Sequence, residues 1–295
     1  MPKRTIVIES PCWLSLRSCQ MVVSFPEDER PPATVPVEDM GYLIVDNQQA
    51  HLTMPLLAEL AANNVAVLIC DNKHNPCSML LNLDSHNIQG ERFREQLEAS
   101  QPAMKQVWKL IVERKILNQA ALLRKYERVD LPLPDLAKSV RSGDTDNREG
   151  VAAHIYWARL LGENFVRSRF GDGPNALLNY GYTVLRAAVA RAICGAGMLP
   201  VRGIHHRNRY NSFPLADDLM EPYRPYVDDA VMELLADRGE QLDTEAKKHI
   251  LGALVCDVVV DGRLHPLSQA LQLTCTSVAA YLAGRAKKLA LPSFR

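Results

Sequence analysis

The sequence has no excess of charge of either sign: 34 basic residues face 34 acidic ones across 295 positions. Bulk charge therefore gives no basis for attraction to nucleic acid or to a membrane surface, and any such contact must come from local patches. No apolar run approaches the ~20 residues that a membrane-spanning helix needs. Met1-Pro2-Lys3-Arg4-Thr5-Ile6 lacks the apolar stretch of a secretory leader. The expectation is a cytoplasmic chain with no membrane partner. The seven cysteines, Cys12, Cys19, Cys70, Cys77, Cys194, Cys256 and Cys275, are odd in number, and none stand in C-x-x-C spacing. That excludes a zinc knuckle or dithiol redox motif and leaves reduced cysteines, most among apolar neighbours. Also missing are the H-E-x-x-H pair, a phosphate-cradling Gly-rich loop and a G-x-S-x-G elbow.

What is present reads as an ordinary globular chain, 47% hydrophobic and 23% charged, with length enough for two domains. The expected fold class is α+β: a small β-rich, sandwich-like domain over residues 1–85, then a larger all-helical domain over residues 86–295. In the first, Thr5-Ile6-Val7-Ile8, Trp13-Leu14-Ser15-Leu16-Arg17, Met21-Val22-Val23-Ser24-Phe25 and Gly41-Tyr42-Leu43-Ile44-Val45 are short apolar or alternating runs bounded by turn residues. A polar, Pro-rich hairpin tip is expected over residues 26–32. One helix interrupts the strands, with Thr53 as cap, Pro55 in its first turn, Leu56, Leu57 and Leu60 on its apolar face, and Asn63-Asn64 at its end. Residues 65–70 then return as a buried strand.

From Ile88 onward the apolar spacing becomes helical, with a long amphipathic segment over residues 104–123. Residues 131–147, rich in Pro and Asp, read as a loop, and helix resumes near Asn147. The segment 175–193 is apolar on nearly every face. Its polar residues Asn175, Asn179, Thr183 and Arg186 fall along one stripe, which either meets buried polar partners or lines a site.

Three features carry possible chemistry, each with a structural alternative. Asp146-Asn147-Arg148-Glu149 has the spacing of a capping box, in which Glu149 merely closes a helix start. Gly203-Ile204-His205-His206-Arg207-Asn208-Arg209 concentrates imidazoles that bind metals and arginines that hold phosphates, or is a solvated basic loop. In Asp217-Asp218-Leu219-Met220-Glu221-Pro222 the carboxylates cluster on one helical face. That clustering needs a cation or an arginine among them, unless it only complements a first turn capped by Ser212. Pro222 removes a helical hydrogen bond and is expected to bend the segment. Two carboxylates and an imidazole from three elements make an Mg²⁺ or Mn²⁺ donor set.

Four motifs occur in order: Asn147-Arg148-Glu149-Gly150, Asn175-Ala176-Leu177-Leu178-Asn179-Tyr180-Gly181-Tyr182, Gly203-Ile204-His205-His206, and Ala216-Asp217-Asp218-Leu219-Met220-Glu221-Pro222-Tyr223-Arg224-Pro225. This series resembles the CRISPR-associated integrase family, the larger of the two core adaptation proteins. Gln89-Gly90-Glu91-Arg92-Phe93-Arg94 and Lys115-Ile116-Leu117-Asn118-Gln119 resemble its type II branch. The resemblance implies a divalent metal, Mg²⁺ or Mn²⁺, held by Glu149, His206 and Glu221. The family's histidine stands three residues after a glycine, which selects His206 over His205. Asp218 and His205 become residues behind or beside the metal, with Asp218 also able to share it.

The implied reaction is attack by the 3′-hydroxyl of a captured double-stranded DNA fragment on a phosphodiester at the edge of a CRISPR repeat. Arg202, Arg207 and Arg209 are the expected DNA contacts, with Arg285, Lys287 and Lys288 as a second basic group. Expected partners are a second copy of the chain, dimerising through residues 1–85, the small second adaptation protein in a hetero-oligomer, and other type II CRISPR proteins. The rival readings are a non-catalytic DNA-binding scaffold and a phosphohydrolase of small molecules.

Overall fold

In the computed structural model, which describes residues 3–25, 30–72, 74, 76–82, 84–169 and 171–294, the chain divides into two units, Met1–Asn87 and Ile88–Arg295. The first holds β1 (Arg4–Ile8), β2 (Trp13–Arg17), β3 (Gln20–Ser24), β4 (Ala33–Pro36), β5 (Met40–Val45), β6 (His51–Leu52), α1 (Met54–Ala62), β7 (Ala66–Cys70) and β8 (Pro76–Leu80). They form two four-stranded sheets, ordered β1-β5-β7-β8 and β4-β3-β2-β6. Pairing is parallel along β1, β5 and β7 and between β2 and β6, and antiparallel elsewhere. All six residues of β5 are buried, as suits a central parallel strand covered on both faces. Leu14, Met21, Val37, Met40, Leu43, Leu56 and Leu60 join both sheets and α1 in one core.

One local expectation here needs adjustment. Thr53 occupies the cap position of α1, but its side chain makes no capping hydrogen bond. Of the tip expected over residues 26–32, residues 26–29 lie outside the described residues. Short β6 and polar-edged β8 offer too little apolar alternation to stand out in the sequence.

The second unit opens with α2 (Gln89–Glu98), α3 (Gln101–Lys125), α4 (Leu133–Lys138), α5 (Arg148–Leu161) and α6 (Pro174–Gly195). The stretch expected as loop over residues 131–147 contains α4. Its Pro134 falls in the first turn, where a missing N–H is harmless, and Leu133 and Ala137 bury one face. Then follow α7 (Pro214–Met220), a single 3₁₀ turn over Glu221–Tyr223, α8 (Arg224–Asp237) and α9 (Thr244–Gly252). The cap of α7 is Phe213, not Ser212, and no side chain bonds there. The 3₁₀ turn falls at Pro222, as expected where a helical N–H is absent.

The second unit is not all-helical. Strands β9 (Asp257–Val260) and β10 (Arg263–Pro266) precede α10 (Leu267–Leu282), and β11 (Pro292–Ser293) completes a sheet of order β10-β9-β11. Asp261 and Gly262, at φ 49° and 77°, form the two-residue hairpin loop. Asp-Gly after Val258-Val259-Val260 is the sequence signal that discloses it. At the centre of the unit lies α6, packed against α7, α8, α9 and α10. Among the described residues no helix is long and apolar enough to cross a membrane.

Candidate active site

Glu149 lies in the first turn of α5, and its surroundings decide between the two readings of that turn. Asp144 accepts hydrogen bonds from the backbone N–H groups of Arg148 (2.8 Å) and Glu149 (3.0 Å), and Asn147 Oδ1 accepts from Gly150 N–H (3.2 Å). The helix start is thus satisfied by Asp144 and Asn147, and the capping box expected between Asp146 and Glu149 is not formed. The Glu149 carboxylate instead accepts from the Lys115 ammonium of α3 at 2.6 Å.

Lys115 also stands 2.6 Å from Glu221 Oε2, so one buried ammonium sits between carboxylates from two separate elements. The other oxygen of Glu221 lies 2.9 Å from Arg224 Nε. Burial pushes the Glu221 carboxyl up, but the Arg224 and Lys115 charges outweigh it and hold it down at about 2. Burial likewise disfavours the Lys115 ammonium, and the charges of Glu221 and Glu149 reverse that effect and raise its pKa.

Asp218, one turn before Glu221, is fully buried and organises the histidine segment. Its Oδ2 accepts from the N–H groups of Ile204 (2.6 Å) and His205 (3.1 Å), and its Oδ1 from His206 N–H (3.1 Å). Asp218 Oδ1 also lies 2.7 Å from His206 Nδ1. Side-chain exposure is 38% for His206 against 0% for Asp218, so a buried anchor carries an accessible ring. The Asp218 hydrogen bond raises the His206 pKa against the effect of burial, and the charges of Asp218, Glu221 and Asp217 add to it. The two adjacent imidazoles part company here. His205 stacks on Trp108 with ring centroids 4.2 Å apart, while His206 meets that ring edge-on.

Gly203 explains the spacing of this motif. A Cβ there would collide with the His206 carbonyl oxygen and stand 3.1 Å from Asp218 Oδ2, so the turn that delivers His206 closes only around a residue without a side chain. Asp217 faces elsewhere, pairing with Arg186 Nε (2.7 Å) and accepting from Asn211 Nδ2 (2.6 Å).

The polar stripe of α6 meets polar partners that are half-buried or exposed, not the fully buried ones expected. Asn175 and Asn179 accept from Arg167 and donate to the carbonyls of Val166, Ser168 and Arg169, and Arg186 reaches the Asp217 pair. Beyond the stripe, Tyr156 (2.7 Å) and Tyr182 donate to buried Asp228. Arg224 lies over the Tyr182 ring at 4.5 Å from its centroid and Arg167 at 5.1 Å, linking this network to Glu221.

The expected DNA contacts divide. Arg207 and Arg209 are exposed, and Arg202 is half-buried. Arg207, with Lys105, Gln101, Trp108 and His205, lines a cavity of about 270 Å³. Arg285 does not offer its charge: both of its terminal nitrogens bond Glu95. Lys287 and Lys288 are exposed and border a separate cavity with Arg114. Sequence reasoning missed the roles of Lys115 and Arg224. The available signal was the place of Lys115 on the apolar face of Ile111, Val112 and Ile116, where a lysine requires a buried anion.

Among the described residues no three His, Cys, Asp or Glu side chains already converge as ligands of one ion. The residues nevertheless fit a divalent cation. Glu221 Oε2 is buried and faces the Lys115 ammonium at 2.6 Å, while Arg224 takes the other oxygen of the carboxylate. Glu149 shares that same cation, and an imidazole fixed through Nδ1 keeps Nε2 for a further partner.

Residues 5–252 match the family described as CRISPR associated protein Cas1. The CRISPR-associated endonuclease Cas1 of Neisseria meningitidis serogroup C (strain 8013) is 37% identical over 299 residues, covering 99% of this chain and 96% of its own length. A casposase bound to its integration product superposes with TM-score 0.80 at 22% identity, over 98% of this chain and 93% of that one. A Cas1 protein from Thermotoga maritima gives TM-score 0.81 at 17% identity, over 97% and 100%. A chain of a Cas6-RT-Cas1–Cas2 complex gives 0.74 at 18%, over 96% of this chain and 35% of that one. These last three share the fold. The chain belongs to the Cas1 family of CRISPR-associated proteins.

Proposed function

We propose that this protein is a divalent-metal-dependent DNA integrase and endonuclease that joins captured DNA fragments into a CRISPR array. The observation that carries the reading is the pairing of Glu149 and Glu221 about one buried cation, beside an imidazole held by buried Asp218. The endonuclease name of the meningococcal relative and the shared fold of the product-bound casposase support it. Glu149, Glu221 and His206 would hold Mg²⁺ or Mn²⁺. Bound there, the metal would lower the pKa of the attacking hydroxyl and offset the negative charge on the oxygens of the pentacoordinate transition state.

The rest is the work of the chain's own groups. The fragment's 3′-hydroxyl gives up its proton and bonds to phosphorus, while the repeat's 3′-oxygen leaves and takes a proton. Water as nucleophile gives cleavage instead. Asp218, by engaging Nδ1, sets the tautomer and orientation of His206 and leaves Nε2 to bind the ion or carry a proton. Arg207 and Arg209, exposed beside the histidine, hold the phosphate backbone together with Arg202. Two attacks at the two ends of a repeat call for two centres at fixed separation. This favours a homodimer through residues 1–85 and a small Cas2-like partner of the kind named in the neighbouring Cas1–Cas2 complex. A protein that acts on cellular DNA is expected in the cytoplasm.

The Lys115 pairing favours one alternative, a DNA-binding scaffold whose carboxylates serve structure only. Strand transfer of a fragment into repeat DNA in Mn²⁺ decides. Glu221→Ala and His206→Ala are each expected to lower the rate at least ~100-fold, with Arg207→Ala weakening DNA binding. Wild-type rates in both site variants would put the centre elsewhere, and DNA binding by the wild type without any strand transfer would leave the scaffold reading standing.

A further inference from the structure

We propose that Lys115 is a built-in counter-cation that fills the space between Glu149 and Glu221 and yields it to the divalent ion, so that lysine and metal exclude one another there. The inference rests on the metal reading above. Lys115 projects from the apolar face of α3 and is only 7% exposed, yet its ammonium stands 2.6 Å from an oxygen of each carboxylate. A metal–oxygen bond spans ~2.0–2.6 Å, so the ammonium takes the position that an ion bridging these oxygens needs.

Charge leads to the same conclusion. Glu149 and Glu221 are balanced by Lys115 and by Arg224, which lies 2.9 Å from Glu221. Among these four groups, which sum to zero, a divalent ion added with the ammonium in place would leave an excess of two positive charges at close range. Displacing the ammonium halves that excess and removes the closest repulsion. Without metal, the same ammonium stops two neighbouring carboxylates from repelling each other, and so keeps the start of α5 beside the turn after α7.

Calorimetric titration of Mn²⁺ into wild type, Lys115→Met and Lys115→Arg tests the exchange. Lys115→Met is expected to bind Mn²⁺ on the order of tenfold more tightly. Without metal it should melt at a lower temperature than wild type, and Mn²⁺ should restore it. Lys115→Arg, which keeps the charge, should bind no more tightly than wild type.

A second measurement needs no variant. Acetylation of lysines in the intact protein, mapped by mass spectrometry, should find Lys115 protected without metal and modified several-fold faster with saturating Mn²⁺. A folded Lys115→Met that binds Mn²⁺ no more tightly than wild type overturns the exchange, as does Lys115 labelling that Mn²⁺ does not change. If wild type takes up no Mn²⁺ and Glu221→Gln behaves identically, the metal reading itself fails and the exchange with it.

Discussion

Asp218 does more for this site than any single proposed ligand, although it holds no position open to the ion. Its two oxygens satisfy three successive backbone N–H groups and face the Nδ1 of His206. Asp218→Ala strands those donors in a buried turn. We expect a loss of roughly 2–4 kcal/mol in unfolding free energy and a strand-transfer defect as deep as that of His206→Ala. Denaturant melts and the transfer assay measure the two effects separately. Unchanged stability would show that the turn is held by something else.

The resemblance selects His206 over His205 through the glycine three residues before it, and Gly203 has a physical reason to stand in that turn. Glu149 was less legible. Asp146 and Glu149 have capping-box spacing, and only the structure shows Asp144 and Asn147 taking that role. Lys115 was hidden because its partners lie 34 and 106 positions away in the chain.

Between elements, α5, α6 and α8 meet at a buried acid. Asp228 of α8 accepts from Tyr156 of α5 and Tyr182 of α6. Burial pushes its carboxyl up, and although the Tyr182 and Tyr156 hydrogen bonds and the Arg224 and Arg167 charges oppose this, it settles at about 6. A raised carboxyl binds its proton more tightly in the folded chain than in the unfolded one. Its stabilising contribution is therefore complete below about pH 4 and is lost as pH rises through about 6. Stability should increase by about 1 kcal/mol as pH falls from 6 to 5, and Asp228→Asn should abolish that increment. Thermal melts at pH 5, 6 and 7 provide the comparison, and parallel curves for wild type and variant would contradict it.

Elements themselves were read unevenly. Long segments such as α3 and α6 stand out, α3 through its helical spacing and α6 through an apolar run too long for a strand. Short α4 was obscured by Pro132 and Pro134, and β9 and β10 by the helical texture around them, despite the Asp261-Gly262 turn.

At the scale of the molecule, two textures along the chain correspond to strand sheets before Asn87 and a mainly helical unit after it. Parallel pairing in both N-terminal sheets was not legible, since alternation marks a strand but not its partner. Zero net charge is compatible with DNA work only if positive charge is local. Exposed Arg207 and Arg209 lie on the segment that carries His206, whereas Arg285 is neutralised by Glu95. A protein built this way should bind DNA with a salt dependence set by a few arginines rather than by the whole surface.

Glu149, His206 and Glu221 are the proposed holders of one divalent ion. A crystal structure of the protein soaked in Mn²⁺, with anomalous data collected at the manganese edge, tests this assignment most directly. A single strong peak is expected within ~2.0–2.6 Å of Glu149 and Glu221 oxygens and a nitrogen of His206, with the Lys115 ammonium moved out from between the carboxylates. A map at saturating Mn²⁺ with no peak there and Lys115 still bridging Glu149 and Glu221 would contradict it.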